Sequence, residues 1–106
     1  MDAEAPSAGL QMKVELIDPF EMERHRQLAE LYEARGEWLY ATRSRTAVLD
    51  LDPVDRAGAH YELARTLVAL GDLEAARQQV LRSLEIAPMY GDGLELLLTI
   101  VEQRGQ

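Results

Sequence analysis

The sequence has no cysteine, a single lysine, a single phenylalanine and a single tryptophan in 106 residues. Without cysteine the chain can form no disulfide, no thiolate nucleophile and no cysteine-ligated metal site. No apolar run reaches the roughly 18 residues that a membrane-spanning helix needs. Residues 1–11 lack the positive start and the apolar stretch of a secretory signal. These absences predict a cytoplasmic protein without membrane contact, unless the chain is excised from a longer one.

Acidic residues dominate the charged side chains of the sequence. Nineteen aspartates and glutamates against eleven basic residues give a formal charge of −8. Nucleic acid is therefore not an expected partner, because neutralising phosphates requires a surplus of lysine and arginine. About half of the residues are apolar, which suffices for one small core. We predict one domain over residues 13–106, preceded by a disordered lead at residues 1–12.

The apolar spacing is helical from Lys13 onward and is interrupted at regular intervals. Prolines at 19, 53 and 88 and glycines at 36, 71 and 105 are spaced by 34 or 35 residues. A period of this size indicates repeated supersecondary units. Placing residues 22–56 over residues 57–91 gives eight identities in 35 positions, where composition alone would give roughly two. The identical pairs are His25/His60, Leu28/Leu63, Ala29/Ala64, Ala34/Ala69, Gly36/Gly71, Ala41/Ala76, Leu49/Leu84 and Pro53/Pro88.

Each unit is predicted to be a helix, a glycine turn, a second helix and a proline stop. Gly36 and Gly71 follow helical runs and can adopt the left-handed conformation that ends a helix. Asp18 and Asp52 each precede a proline and are expected to cap the next helix. Four of the shared alanines are expected where helices approach closely: Ala29, Ala41, Ala64 and Ala76. We predict an all-α fold without a sheet, with antiparallel helices near residues 19–35, 37–51, 54–70, 73–87 and 92–104.

The two units resemble the tetratricopeptide repeat (TPR), a helical hairpin of 34 residues. The residues that carry this resemblance are Leu28, Ala29, Gly36, Ala41 and Pro53 in the first unit and Leu63, Ala64, Gly71, Ala76 and Pro88 in the second. The resemblance implies a TPR-like solenoid of about two full repeats plus a terminal helix. Arg45 departs from the family pattern, which buries an aromatic side chain there. We expect its stem to be buried or its charge to meet a carboxylate.

Few residues suggest a catalytic, metal-binding or anion-binding role. His25 and His60 occupy equivalent inward positions without a second ligand one turn away, so both are expected in the core rather than at a metal. The sequence has no Gly-x-Ser-x-Gly motif and no glycine-rich phosphate loop. We therefore predict no enzyme, no catalytic residue, no metal and no cofactor. The acidic residues are expected in solvated pairs such as Glu62–Arg65 and Glu74–Arg77. The basic cluster of Arg35, Arg43 and Arg45 is interpreted as a charged helix face, with an anion site as the alternative.

The TPR resemblance implies that a ligand binds the inner groove lined by the first helix of each unit. The predicted groove residues are Arg26, Glu30, Tyr61, Arg65 and Val68. Their mixed charge suits an amphipathic or mixed-charge peptide. It disfavours the acidic tails that the chaperone-binding members of the family hold.

Three functions remain open at this level. The first is a protein-interaction scaffold that binds a peptide or helix. The second is self-association into a homodimer through the last helix, whose Leu94, Leu97, Leu98 and Val101 are expected inward and whose Leu96 and Ile100 are expected on an uncovered face. The third is a regulatory or substrate-recruiting fragment of a larger enzyme. Ten arginines against one lysine favour a GC-rich, bacterial coding genome.

Overall fold

A computed structural model describes residues 19–105 and contains five helices. They are α1 (Glu21–Ala34), α2 (Trp38–Asp50), α3 (Arg56–Leu70), α4 (Leu73–Ile86) and α5 (Gly91–Arg104). No strand occurs among these residues. The prediction of an all-helical fold is confirmed, and every helix boundary lies within two residues of its predicted position. The predicted lead at residues 1–12 lies outside the described residues.

Consecutive helices run antiparallel and pack on one another, and α3 also contacts α5. Between α3 and α4, Ser83 Oγ donates a hydrogen bond to the Ala57 carbonyl at 2.7 Å. One turn further along, His60 Nδ1 donates to Gln79 Oε1 at 2.8 Å. Residue numbers thus rise along α3 as they fall along α4. The 3.1 Å ion pair between Arg104 and Glu74 shows the same antiparallel arrangement for α4 and α5.

The two glycine turns have the predicted left-handed backbone. Gly36 has a φ of +73° and Gly71 a φ of +97°. After α3, the amide groups of Gly71 and Asp72 both donate to the Leu67 carbonyl at 3.0 Å. This arrangement satisfies carbonyl groups that the helix end would otherwise leave free. Asp72 then caps α4 by accepting a hydrogen bond from the Ala75 amide at 3.1 Å.

The predicted N-cap of α3 is wrong, although the predicted start of the helix is correct to within two residues. Asp55, not Asp52, is the N-cap, and its carboxylate accepts a hydrogen bond from the Gly58 amide at 2.9 Å. Asp52 has a φ of +59° and forms a 2.6 Å ion pair with Arg56. The physical reason is this backbone conformation, because an N-cap residue is usually extended and Asp52 is left-handed. Aspartate tolerates the left-handed alternative better than most residues. The equivalent prediction for Asp18 lies outside the described residues.

The core lies mainly between α3, α4 and α5. Its buried residues are Leu63, Ala64, Leu67, Ala76, Val80 and Ile100, and Leu49, Val68, Ala75, Leu96 and Leu97 pack against them. The four alanines predicted at close helix contacts, Ala29, Ala41, Ala64 and Ala76, are all fully buried. Close packing of helices around alanine explains why these positions recur in both units.

The predicted faces of α5 are wrong except at Leu97, which packs against the core as predicted. Ile100 is 0% exposed and Leu96 packs against the core, whereas Leu94, Leu98 and Val101 are exposed. The prediction aligned Gly105 with Gly71, but Gly105 has a φ of −75° and does not form the same turn. Burial in α5 instead follows α3 at an offset of 36 residues, with Gly93 matching Ala57 and Ile100 matching Ala64. Ile100 is therefore a core residue and not part of an exposed dimer surface.

Candidate functional site

Helices α1 and α3 run in the same direction and meet through the hydrogen bond from Thr66 to Glu33. A pocket of about 180 Å³ opens toward their N-terminal ends. The residues lining this N-terminal pocket are Arg26, Arg45, Val48, Asp55, Gly58, Ala59, Glu62 and Tyr90. Arg26 contributes positive charge from α1, and Glu62 contributes negative charge from α3. Asp55 adds a second carboxylate because capping α3 holds it at the start of that helix. The pocket can therefore pair with both signs of charge.

Tyr61 lies beside this pocket on α3 and packs against Tyr90. The two rings meet edge to face, with centroids 5.4 Å apart and an interplanar angle of 70°. Burial raises the pKa of both phenols, and the carboxylate of Asp92 raises it further. Both side chains are consequently neutral hydroxyl donors at physiological pH. Tyr90 was not among the predicted groove residues, although it stands 29 residues after Tyr61 and directly before α5.

A second pocket, of about 150 Å³, opens at the other end of the same two helices. Its lining residues are Glu33, Trp38, Arg65, Thr66 and Ala69. Arg65 pairs with Glu62 at 2.7 Å and lies 3.9 Å from Glu33. This C-terminal pocket also carries both signs of charge.

Glu33 is the centre of an ion cluster that joins three helices. Arg45 of α2 donates two hydrogen bonds to its carboxylate, from Nε to Oε2 at 3.1 Å and from Nη2 to Oε1 at 3.0 Å. Thr66 of α3 donates a third from Oγ1 to Oε2 at 2.6 Å. Arg45 is only 8% exposed, so its predicted carboxylate partner is confirmed. The sequence analysis did not identify Glu33 as that partner.

The carboxylate of Glu33 stays ionised at neutral pH although it is partly buried. Burial alone would raise the pKa of this carboxyl group, because desolvation penalises the ionised form. The hydrogen bonds from Arg45 and Thr66, together with the charges of Arg45 and Arg65, outweigh burial and lower the pKa below its ordinary value. The cluster therefore holds an ionised carboxylate against two guanidinium groups at neutral pH.

The predicted groove residues are distributed along α1 and α3 rather than gathered in one pocket. Arg26 lines the N-terminal pocket and Arg65 lines the C-terminal pocket. Tyr61 lines neither, but it packs against Tyr90, which lines the N-terminal pocket. Glu30 is exposed and lines neither of these two pockets. Val68 is half-buried and packs against the core, so little of it faces a ligand.

The other charged candidates have structural partners. Arg35 pairs with Glu37 at 3.0 Å, and the Arg43 guanidinium carbon lies 5.6 Å from the centroid of the Tyr40 ring. The predicted partner of Glu74 is wrong, because Glu74 pairs with Arg104 of α5 instead of Arg77. Because Arg45 is buried against Glu33 and the other two arginines have separate contacts, the three do not converge on an anion site.

The histidines differ in burial although they occupy equivalent positions. His60 is buried and bonded to Gln79, whereas His25 is half-buried. Within residues 19–105, no group of three or more histidine, aspartate or glutamate side chains converges as a metal site would require. None of the helices between residues 21 and 104 combines the length and apolar character needed to cross a membrane.

In comparison with known proteins, the sequence matches no protein-family model and has no significant match among curated proteins.

Proposed function

We propose that this chain is a TPR-like protein-interaction module that binds a peptide or helical segment along the groove between α1 and α3. The observation that carries the proposal is the pair of mixed-charge pockets at the two ends of these parallel helices. A ligand that lies along the groove would reach Arg26 at one end and Arg65 at the other. An extended or helical segment with both signs of charge fits this arrangement.

The repeat geometry supports the TPR-like part of the proposal. Gly36 and Gly71, which are 35 residues apart, share a left-handed turn. At the same offset, Ala29 matches Ala64 and Ala41 matches Ala76, and all four are fully buried. A hairpin that repeats in this way buries its faces against its neighbours and presents the first helix of each unit on a common surface.

The chemistry of the groove narrows the ligand class. Asp55 and Glu62 line the N-terminal pocket beside Arg26, so a ligand with only carboxylates would be repelled there. A peptide that places a basic side chain near Glu62 and an acidic one near Arg65 would satisfy both ends. Tyr61 and Tyr90 offer apolar ring surface at the N-terminal pocket, and buried aromatic groups often dominate peptide affinity.

The experiment selects peptides from a random phage-displayed library on the immobilised chain and measures one synthetic selected peptide by fluorescence anisotropy. Tyr61→Ala with Arg65→Ala should weaken binding about tenfold or more, because both a ring and a charge are lost. Arg82→Ala, an exposed arginine on α4, is the matched control and should leave affinity unchanged. Circular dichroism establishes that each variant is folded. Unchanged affinity in the double variant would exclude the groove.

The other two functions of the sequence analysis stay predictions. A homodimer is tested by mass in solution at micromolar concentration. A regulatory or substrate-recruiting fragment of a larger enzyme is tested by the full gene, where a catalytic domain in the same reading frame would favour it.

A further inference from the structure

Two loop residues at equivalent positions, Val54 and Met89, present apolar side chains to solvent. Each follows a repeat proline and lies two residues before the first residue of a helix, α3 for Val54 and α5 for Met89. An apolar residue at this position often packs against the first turns of the helix that follows. Val54 is fully exposed and Met89 is 87% exposed, so neither side chain does so. Packing within the chain therefore does not account for their apolar character.

Ile86, the last residue of α4, lies at the same end of the helices as Val54. The hydrogen bond from Ser83 to Ala57 aligns the antiparallel helices α3 and α4. Ile86 follows Ser83 by three residues and Val54 precedes Ala57 by three, so the two lie nearly level. Ile86 is 51% exposed, and Met89 follows it by three residues. We call Val54, Ile86 and Met89 the loop-end patch.

The loop-end patch has a net negative border. The two segments that carry it, residues 50–56 and 82–89, contain four acidic and two basic side chains. The acidic residues are Asp50, Asp52, Asp55 and Glu85, and the basic residues are Arg56 and Arg82. Arg56 is already engaged, because its guanidinium lies 2.6 Å from the carboxylate of Asp52. A partner with basic side chains would complement this border.

This charge pattern disfavours two other occupants. A second copy of the chain, paired patch to patch, would bring the same carboxylates together, and each copy carries a formal charge of −8. The cytoplasmic surface of a membrane is also negative and attracts basic segments rather than acidic ones. The favoured occupant is therefore a basic segment of another protein.

We propose that the loop-end patch binds an amphipathic helix of a partner protein, with an apolar face and basic edges. Helices α3 and α5 are in contact, and helices in contact lie about 8–10 Å apart. Side chains seven residues apart on one helix share a face and are separated by about 10.5 Å along its axis. One helix can therefore cover both Val54 and Met89, with an apolar residue between these two anchors against Ile86. Lysine or arginine at its edges would meet Asp50 and Glu85.

The loop-end patch is separate from the groove between α1 and α3. Its three residues line neither of the two groove pockets, and α4 contributes no residue to either pocket. The patch lies at the ends of the helices, whereas the groove runs along their sides. The proposal does not rest on the proposed function.

The test uses three synthetic helical peptides as probes and the complete chain as the receptor. The first peptide has leucines along one face and lysines along the edges. The second has the same leucines with glutamates at the edges. The third has the composition of the first with its leucines dispersed around the helix. Fluorescence anisotropy should show that the first binds about tenfold or more tightly than either of the others, because both apolar contact and opposite charge are required.

Two sets of variants locate the site. Val54→Gln with Met89→Gln removes apolar surface without changing charge and should weaken the lysine peptide about tenfold. Circular dichroism establishes that this variant is folded. Leu31→Gln with Leu39→Gln removes two exposed leucines near the glycine turn, at the other end of α1 and α2, and should have no effect. Asp50→Lys with Glu85→Lys should reverse the preference between the lysine and glutamate peptides.

The methyl group of Met89 reports on the site directly. The chain has four methionines, and ¹³C labelling of their methyl groups gives a nuclear magnetic resonance signal for each. The signal that is lost in the Val54→Gln/Met89→Gln variant belongs to Met89. This signal should shift when the lysine peptide is added to the wild-type chain. A shift confined to the other methionines would place the peptide elsewhere and contradict the proposal.

Several further results would overturn the proposal. They are no binding of the lysine peptide up to millimolar concentration, equal binding of all three peptides, or full affinity in the Val54→Gln/Met89→Gln variant. A wild-type dimer that this variant converts to a monomer would identify a second copy as the occupant. Sedimentation of the wild-type chain, but not of this variant, with vesicles of anionic lipid would identify a membrane. The Tyr61→Ala/Arg65→Ala variant separates the patch from the groove, since it should bind the lysine peptide normally.

Discussion

The hairpin α1–α2 and the hairpin α3–α4 share their turns and close contacts but differ in what fills their interiors. Glu33 and Arg45 of the first correspond, 35 residues later, to Val68 and Val80 of the second. The first pair forms a bidentate ion pair with Nη2–Oε1 at 3.0 Å. Val80 is fully buried and Val68 packs against the same core. One backbone arrangement therefore accepts either an ion pair or two valines.

Burial also differs between identical residues of the two hairpins. Leu63 is buried in α3, whereas its counterpart Leu28 in α1 is exposed. Helix α3 has neighbours on both sides, since it packs against α2, α4 and α5. The difference shows that the local sequence sets the turn and the helix, while the neighbouring unit decides which side chains become core.

The largest effect is expected from breaking the ion pair on one side only. Arg45→Val should lower the free energy of unfolding by about 3 kcal/mol, because Glu33 would remain largely buried without its main partner. Arg65 and Thr66 still face Glu33, which keeps the loss at the lower end of the usual range. Urea unfolding followed by circular dichroism measures it. A loss below about 0.5 kcal/mol, the size typical of a surface substitution, would show that the Glu33–Arg45 ion pair does not stabilise the first hairpin.

A smaller and equal effect is expected at the two glycine turns. Gly36→Ala and Gly71→Ala should each destabilise the chain by about 1–2 kcal/mol, the cost of a left-handed backbone for a residue with a Cβ. An added Cβ has nothing within 4 Å at either position, so no steric contact adds to this cost. Thermal unfolding of both variants checks the expectation. A clear difference between them would mean that the turns are not equivalent.

The smallest effect is expected from pH. The folded-state pKa of Glu33 lies below its ordinary value, so the ionised carboxylate stabilises the fold above the unfolded pKa, which is about 4.3. That contribution should decline as the pH falls below this value and disappear below the folded pKa. Urea unfolding at a series of pH values, compared with Glu33→Val/Arg45→Val, isolates the effect. Identical acid profiles would exclude a contribution from Glu33.

Features encoded by nearby residues were predictable from the sequence. Gly36 and Gly71 take their positions from turn geometry, the four buried alanines take theirs from close helix contact, and both sets recur at a fixed spacing. The cap at Asp55 was missed because two aspartates flank Pro53 and only the backbone at Asp52 distinguishes them. The faces of α5 were missed because Gly105 resembles a turn glycine in spacing alone.

The candidate site was less predictable than the fold. Arg26, Tyr61 and Arg65 were placed beside pockets, but Tyr90 lies in a linker whose path no helical period fixes. The partner of Arg45 depends on a contact across 12 residues and between two helices. The sequence does hold one signal for it, since Glu33 and Arg45 are both replaced by valine in the second unit.

The equivalence of the two hairpins is tested most directly by the free energy of unfolding of Glu33→Val/Arg45→Val. This double variant gives the first hairpin the pair that the second already holds. We predict a stability within about 1 kcal/mol of wild type or above it, because replacing a buried ion pair by apolar residues is often neutral or stabilising. Without Glu33, the single proton of the Thr66 hydroxyl is donated to the Glu62 carbonyl, 2.9 Å away, so this hydroxyl is not left unsatisfied. A loss as large as that of Arg45→Val alone would contradict the equivalence.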